Sequence, residues 1–173
     1  MTPATPDTDS RHFRQALSQF ATGVTVITTA GTDGLPVGVT ISTFSSLSLS
    51  PPLIMWSLVR QASAYAHFSR AERYVVHVLA AGQEDLALRF ARGPQTERFQ
   101  GLALRQSPHG TPMLDESNLA AWFECTHHAC HEGGDHDIFV GRVEHCAHQT
   151  RPALVHHASR FLLASDLIQA NPG

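Results

Sequence analysis

The chain has 173 residues, of which 42% are hydrophobic and 16% are charged, and its formal net charge is −3. This length suits one domain with a core of its own, and a chain without a basic stripe does not have the composition of a nucleic-acid binder. The cysteines, Cys125, Cys130 and Cys146, are odd in number and late in the chain, which is not a disulfide framework and predicts a reducing compartment.

The two ends of the sequence predict little structure. Residues 1–10 hold neither a basic start nor an apolar run, so they predict a disordered lead-in and not a signal peptide. No stretch of the sequence is apolar enough to span a bilayer. We therefore expect a cytoplasmic protein with one domain over residues 11–165 and a tail at residues 166–173.

The first half of the chain predicts a helix and then strands joined by short turns. Apolar residues at helical spacing mark the helix, β-branched runs mark strands, and the Asp-Gly pair at 33–34 is typical of a hairpin turn. The predicted segments are a helix at 13–21 capped by Asp9 or Ser10 and ended by Gly23, a strand at 24–29, a turn at 32–34, a return strand at 34–53, a strand at 53–58 and a helix at 63–71 with Ser63 as its N-cap.

The second half of the chain is again mainly β. It predicts a strand at 74–79, a helix at 84–91, and strands at 120–131, 138–143 and 153–156. Many strands with few helices between them predict an antiparallel barrel and argue against a doubly wound nucleotide fold. The sequence also lacks G-x-G-x-x-G, P-loop and G-x-S-x-G motifs, so a cofactor that brings its own chemistry fits this chain better than hydrolysis.

Segment 34–53 alternates small hydroxyl side chains with aliphatic ones, as in Val39-Thr40-Ile41-Ser42. This mixture suits a strand edge that offers hydroxyls and backbone amides to a polar ligand. It describes an amphipathic strand with a solvated face equally well. The local pattern leaves both interpretations open.

A candidate phosphate site follows the strand at 53–58. Ser57, Arg60 and Ser63 lie together in the sequence, and Ser63 opens a predicted helix whose N-terminus would offer free N–H groups to an anion. The alternative is an ordinary turn with a serine cap and a solvated arginine. The local pattern alone favours that alternative, because such caps are common.

Histidines and cysteines are concentrated late in the chain. The members of this late cluster are Cys125, His127, His128, Cys130, His131, Asp135, His136, Asp137, His145, Cys146 and His148. The cluster lacks the paired spacing of a zinc finger, and strand alternation divides it between two faces, so we predict no metal site. Asp135 beside His136, at a hairpin turn, is placed to orient the imidazole, or the pair is simply a polar hairpin tip.

Several motifs, taken in order, resemble one known family. They are Phe-Ala-Thr-Gly-Val-Thr-Val-Ile-Thr at 20–28, Pro-Val-Gly-Val-Thr at 36–40, Ser-Ser-Leu-Ser at 45–48, Pro-Pro-Leu at 51–53, Asp-His at 135–136 and Gly-Arg-Val at 141–143. As a set they resemble the short-chain flavin reductase family of flavin-binding split barrels, over residues 11–163. These are the reductase components of two-component flavin-dependent monooxygenases.

The resemblance implies a fold, a reaction and site residues. The fold is a mainly β, six-stranded antiparallel Greek-key split barrel with flanking helices, forming a homodimer. The reaction is hydride transfer from NADH or NADPH to FMN or FAD, with the reduced flavin passing to a partner monooxygenase. The implied cofactor-binding residues are Gly38, Val39, Thr40, Ile41, Ser42 and Thr43 for the ring and Ser57, Arg60 and Ser63 for the phosphate, with His136 beside the nicotinamide.

Two alternative functions come from other classes of protein. One is a flavin-binding electron carrier without nicotinamide activity. The other is a metal-binding β domain built on the late cluster.

Overall fold

The computed structural model describes residues 10–115 and 117–163. Residues 1–9 of the predicted lead-in at 1–10, the predicted helix cap at Asp9 and the tail at 166–173 lie outside the described residues. Ser10, the last residue of the predicted lead-in, begins the first helix. The elements are α1 Ser10–Ser18, β1 Thr22–Gly23, β2 Thr25–Ala30, β3 Pro36–Ile41, β4 Ser45–Leu49, β5 Pro52–Val59, α2 Tyr65–Phe68, β6 Arg73–Val78, α3 Glu84–Ala91, α4 Gln95–Arg98, β7 Leu104–Gln106, β8 Pro112–Leu114, β9 Ala121–Gly133, β10 His136–His148, β11 Leu154–His157 and β12 Arg160–Leu163.

The main sheet of the described chain has seven strands in the order β3-β2-β6-β9-β10-β5-β4. Each neighbouring pair is antiparallel. Although β3 and β5 are far apart in this order, they contact each other and share one hydrophobic core, to which β3 contributes Val39 and Ile41 and β5 contributes Ile54 and Trp56. The sheet therefore curls into a barrel that stays split between β3 and β5.

Aromatic rings fill the centre of this barrel. Trp56 stacks on Phe139 at a centroid distance of 4.4 Å, and the rings of Phe68 and Tyr74 meet Trp56 edge-on at 5.2 and 5.4 Å. All four side chains are almost completely buried. Large buried aromatic side chains dominate the energetics of such a core, so this cluster fixes β5 against β6 and β10.

Helix α3 covers the outside of β3 through a close approach at Gly38. A Cβ atom on Gly38 would lie 2.5 Å from Phe90 and 2.9 Å from Phe99, closer than real side-chain contacts. Only glycine lets α3 and α4 pack this tightly on the strand. The position of Gly38 is thus explained by packing against the two helices.

The mainly β class and most predicted segments agree with the structure, while several details differ. The main sheet has seven strands where six were predicted, because segment 34–53 forms two strands: β3 pairs with β2, and β4 pairs with β5 at the other edge. The short elements β1, α4 and β12 carry too little periodicity to be predicted. Within the described residues, no helix is long and apolar enough to cross a membrane.

The predicted helix at 63–71 is wrong in extent and in its cap. Only Tyr65–Phe68 is α-helical, and its N-cap is Ala64, without a side-chain cap hydrogen bond. The chain enters this turn through bonds between residues three apart, from the Ala62 N–H to the Val59 carbonyl and from the Tyr65 N–H to the Ala62 carbonyl. Consecutive tight turns take the place of the expected first helical turn.

Candidate active site

A cleft of about 430 Å³ opens where the barrel is split. Its walls come from β3 and the residues that follow it, from β5 and the turn after it, from the ends of α3 and α4, and from the start of β10. The lining residues are Val39, Thr40, Ile41, Ser42, Thr43, Ser57, Leu58, Val59, Ala62, Ser63, Ala64, Ala91, Arg98 and His136. The structure thus brings together every predicted site residue except Gly38 and Arg60.

The free edge of β3 supplies the backbone groups of the cleft. The Gly38 N–H donates to Gln95 Oε1 at 3.2 Å, and the Gly38 carbonyl accepts from Arg98 Nη1 at 2.7 Å. Both backbone groups of Gly38 therefore point away from β2. In an antiparallel strand the direction of the backbone groups alternates, and the N–H and carbonyl of Thr40 therefore face the same free edge. The Thr40 hydroxyl donates to the Ala87 carbonyl at 2.6 Å, which ties α3 to the strand.

Thr43 joins the two sides of the split. Its hydroxyl accepts from the Ser57 N–H at 2.9 Å and donates to the Ser57 carbonyl at 3.2 Å. A threonine side chain here takes the place of a neighbouring strand, because it satisfies both backbone groups of Ser57. This link holds the end of β3 beside β5 and so sets the width of the cleft.

His136 stands at the rim of the cleft, at the start of β10. Its Nδ1 lies 2.7 Å from Asp135 Oδ1, as the predicted pairing of these neighbours requires. The hydrogen bond from His136 lowers the pKa of Asp135, so this carboxylate stays ionised and accepts from Nδ1–H. The imidazole is thereby oriented through Nδ1, and Nε2 is the ring nitrogen that Asp135 does not engage.

Arg60 is paired with carboxylates and does not line the cleft. Its Nε and Nη2 both donate to Asp137 Oδ1, at 2.9 and 2.6 Å, and Nη2 lies 3.1 Å from Glu132 Oε1. The hydroxyl of Tyr65 donates to the other oxygen of Asp137. Hydrogen bonds from Arg60 and then Tyr65 hold the pKa of Asp137 below its usual range. A phosphate would therefore compete with two carboxylates for this guanidinium.

Arg98 is a cation of the cleft that the sequence reasoning missed. The residue is buried, and its guanidinium donates to the Gly38 carbonyl at 2.7 Å and to the Gly93 carbonyl at 3.0 and 3.3 Å. Burial lowers the pKa of Arg98, and no carboxylate in residues 10–115 or 117–163 forms an ion pair with it. It lies in the four-residue helix α4, which is too short to leave a pattern in the sequence.

A second pocket of about 250 Å³ adjoins the cleft and shares Thr40, Ser42 and Ala91 with it. Its far wall is the β11–β12 hairpin, where the rings of His156 and Phe161 are 5.6 Å apart. Cleft and pocket together form an extended site with hydrogen-bonding groups at one end and rings at the other. Such a shape suits a large heterocyclic ligand.

Comparison with known proteins assigns the chain to a family. The profile of the flavin reductase like domain matches residues 17–163. The chain is similar to FMN reductase (NADH) SmoA of Agrobacterium fabrum, with 39% identity over 88% of this chain and 85% of that protein. It is also similar to the reductase subunit HsaB of a flavin-dependent monooxygenase from Rhodococcus jostii, with 40% identity over 78% of this chain and 67% of that subunit. Three other curated relatives are longer, and the chain spans 42 to 57% of their length.

A solved structure shares the fold. The NADH:FAD oxidoreductase SgcE6 of Streptomyces globisporus, in complex with NAD and FAD fragments, superimposes with a TM-score of 0.85. The sequences are 32% identical, and the match covers 94% of this chain and 96% of that one. The predicted split-barrel class is confirmed by this likeness.

Proposed function

Because the chain belongs to the flavin reductase like domain family, we propose that it is a flavin reductase that uses NADH to reduce FMN or FAD. The observation that carries this proposal is the cleft itself. It joins the free edge of β3, a buried guanidinium and an oriented imidazole in one site. The names of SmoA, HsaB and SgcE6 support the reaction class, and they favour it over an electron carrier or a metal-binding domain.

The chemistry of the cleft fits a flavin ring. The pyrimidine edge of a flavin carries carbonyl and N–H groups, and the free edge of β3 offers the complementary backbone donors and acceptors around Thr40. We assign Val39 to Thr43 to the ring. Gly38 shapes this edge from behind, because its lack of a side chain lets α3 and α4 approach.

The phosphate end has two candidate cations. Ser57 and Ser63 line the cleft, and Gln95 Nε2 donates to Ser63 Oγ at 3.5 Å. Arg98 faces the same cleft, whereas Arg60 is engaged by Asp137 and Glu132. We assign the negative charge of the ligand to Arg98, since a buried guanidinium that no carboxylate of the described residues pairs with favours an anion most. Contact between Arg60 and the phosphate stays a prediction.

His136 and the adjoining pocket are assigned to the nicotinamide. A bound flavin would supply the redox chemistry as the acceptor of a hydride from the nicotinamide, with the proton coming from solvent. The protein orients both rings and holds them at contact distance, which accelerates the transfer without a general base. The Asp135–His136 pair keeps its imidazole at the cleft rim as a polar contact for the nicotinamide.

We propose that the reduced flavin is passed to a separate monooxygenase, as the name of HsaB indicates for that subunit.

We also propose a homodimer, because α1 and the residues after it expose Phe13, Leu17 and Phe20, and the edge strand β4 exposes Leu47 and Leu49. Apolar groups this exposed mark a contact surface. Light scattering that gives the mass of a single chain would contradict the dimer.

Three free cysteines support the cytoplasm as the compartment.

The reaction is tested by following NADH and NADPH consumption after addition of FMN or FAD. We expect flavin-dependent turnover that is faster with NADH than with NADPH. No flavin-dependent turnover with either donor would contradict the proposal.

A further inference from the structure

A cluster of ligand-type side chains lies outside the cleft. It consists of His109 in the turn between β7 and β8, Glu124 in β9 and His145 in β10, and one ligand atom from each lies within 4.8 Å of the other two. Glu124 and His145 are paired across the β9–β10 ladder. None of the three residues lines the cleft, so the cluster is independent of the flavin site.

Glu124 is a fully buried carboxylate in this cluster. Its Oε1 accepts hydrogen bonds from the Ser107 hydroxyl and, at 3.1 Å, from the His109 N–H. A buried carboxylate is costly unless it is hydrogen-bonded and paired with a positive charge or bound to a metal ion.

The second oxygen of Glu124 faces the imidazole of His109. His109 Nδ1 lies 3.2 Å from Glu124 Oε2 and 3.4 Å from Glu144 Oε2. Adjacent ligands on a tetrahedral ion with bonds of 2.0–2.2 Å are about 3.3–3.6 Å apart, close to both separations. The ring of His145 is 5.0 Å from that of His109.

A hydrogen bond from His109 to Glu124 alone explains two members of the cluster. Ladder pairing brings His145 beside Glu124, but neither contact explains why Glu144 approaches the same nitrogen of His109. Arg73 pairs with Glu144, which holds this second carboxylate at the edge of the cluster. One ion at the centre accounts for all four positions.

We propose that His109, Glu124 and His145 bind a divalent transition-metal ion of the zinc class, with Glu144 beside it as a further carboxylate. Two imidazoles and a carboxylate are an established zinc ligand set. The exposed His109 and His145 give the ion a path from solvent. The ion would fasten the turn at 107–111 to the β9–β10 hairpin and so stabilise that side of the barrel.

This site differs from a metal site built on the late cluster. Only His145 belongs to both. Cys125 is buried in the barrel core, and Cys130 and Cys146 are exposed. Cys146 follows the register shift between Val143 and His145 and is not among the side chains that converge, so the proposed site contains no thiolate.

The test is equilibrium dialysis of the chelator-treated protein against ZnCl₂, with thermal unfolding of the same samples. The variants are His109→Gln and His145→Gln. The control is His148→Gln, which changes an exposed histidine of β10 that is not a ligand of the proposed site. Glu124 stays unchanged so that the core is not disturbed. We expect wild type and the His148→Gln control to bind one zinc ion per chain and to gain thermal stability, while each ligand variant binds about tenfold more weakly or worse.

CoCl₂ distinguishes the proposed ligands from cysteine. The cobalt form should show visible bands without the intense near-ultraviolet band of a cobalt–thiolate bond. That band, equal zinc binding by all variants, or binding only at millimolar zinc would each overturn the proposal.

Discussion

The hydroxyl of Thr43 is hydrogen-bonded to both backbone groups of Ser57, accepting from the N–H at 2.9 Å and donating to the carbonyl at 3.2 Å. One side chain thereby joins the end of β3 to β5 across the split of the barrel. Both of the chain segments that this link joins, the one at residues 39–43 and the one at residues 57–59, line the cleft. The link is therefore the structural element that sets the distance between the two walls of the proposed flavin site.

Replacing Thr43 with valine removes the link but keeps the shape of the side chain. We expect the Michaelis constant for flavin to rise severalfold and the free energy of unfolding to fall by about 1 kcal/mol, the typical value of such hydrogen bonds. Steady-state kinetics and urea unfolding measure the two effects. Thr43→Ser keeps the hydroxyl and serves as the matched control. Equal behaviour of the valine and serine variants would contradict this role of the hydroxyl.

Substitutions of Arg98 and Arg60 should differ in their effect on the Michaelis constant for flavin. Arg98→Gln should raise the Michaelis constant for flavin by about tenfold or more, as expected for the loss of a charge-assisted bond to an anion. Arg60→Gln should have a smaller effect on that constant, because its guanidinium is engaged by Asp137 and Glu132. The flavin Michaelis constants of both variants give the comparison. A larger effect from Arg60→Gln would assign the phosphate to Arg60 instead.

His136 should act on the nicotinamide and not on the flavin. His136→Ala is expected to raise the Michaelis constant for NADH or to lower the turnover rate, with little change in the constant for flavin. Asp135→Asn leaves the imidazole in place but weakens the acceptor that orients it, so it should have a smaller effect of the same kind. Steady-state kinetics in which NADH and flavin are varied in turn give the Michaelis constant for each substrate and the turnover rate. Normal kinetics with NADH in His136→Ala would refute the assignment.

The buried His77 should make the fold sensitive to acid. Its Nδ1–H donates to the Val26 carbonyl and its Nε2 accepts from the Leu114 N–H, which describes a neutral ring; burial lowers its pKa to about 4. The unfolded chain takes up this proton near pH 6.5, so the stabilisation from the neutral ring is complete above pH 6.5 and is lost as the pH falls towards 4. The full contribution is about 3 kcal/mol.

His77→Gln tests this dependence because glutamine does not titrate. The difference in free energy of unfolding between wild type and the variant should shrink as the pH falls from 7 towards 4. A difference that stays constant over this range would show that His77 does not titrate as described.

The main elements could be predicted from the sequence where the local pattern is strong. Helix α3 was predicted with the bounds that the structure shows, 84–91, because Leu86, Ala87 and Phe90 repeat on one face. The paired strands were found from β-branched runs and turn residues. The cleft residues at 39–43 came from the family resemblance, since hydroxyl alternation alone also describes a solvated strand.

Other features depend on contacts between distant parts of the chain, which no local pattern records. Arg98 enters the cleft from a helix of four residues. The hydroxyl of Thr43 finds its partner only because the sheet curls. His109 meets Glu124 and His145 because the turn between β7 and β8 packs against β9 and β10, so the proposed metal ligands are not neighbours in the sequence.

The central claim, that flavin reduction takes place in the cleft between β3 and β5, is tested most directly by filling that cleft. Ala91 is an exposed residue that lines it, and Ala91→Trp places a large ring there. Ala66→Trp makes the same change on the exposed face of α2, outside the lining, and is the control. We predict that kcat/KM for flavin falls by about tenfold or more in Ala91→Trp and stays near the wild-type value in Ala66→Trp. Wild-type kcat/KM in a folded Ala91→Trp variant would contradict the account.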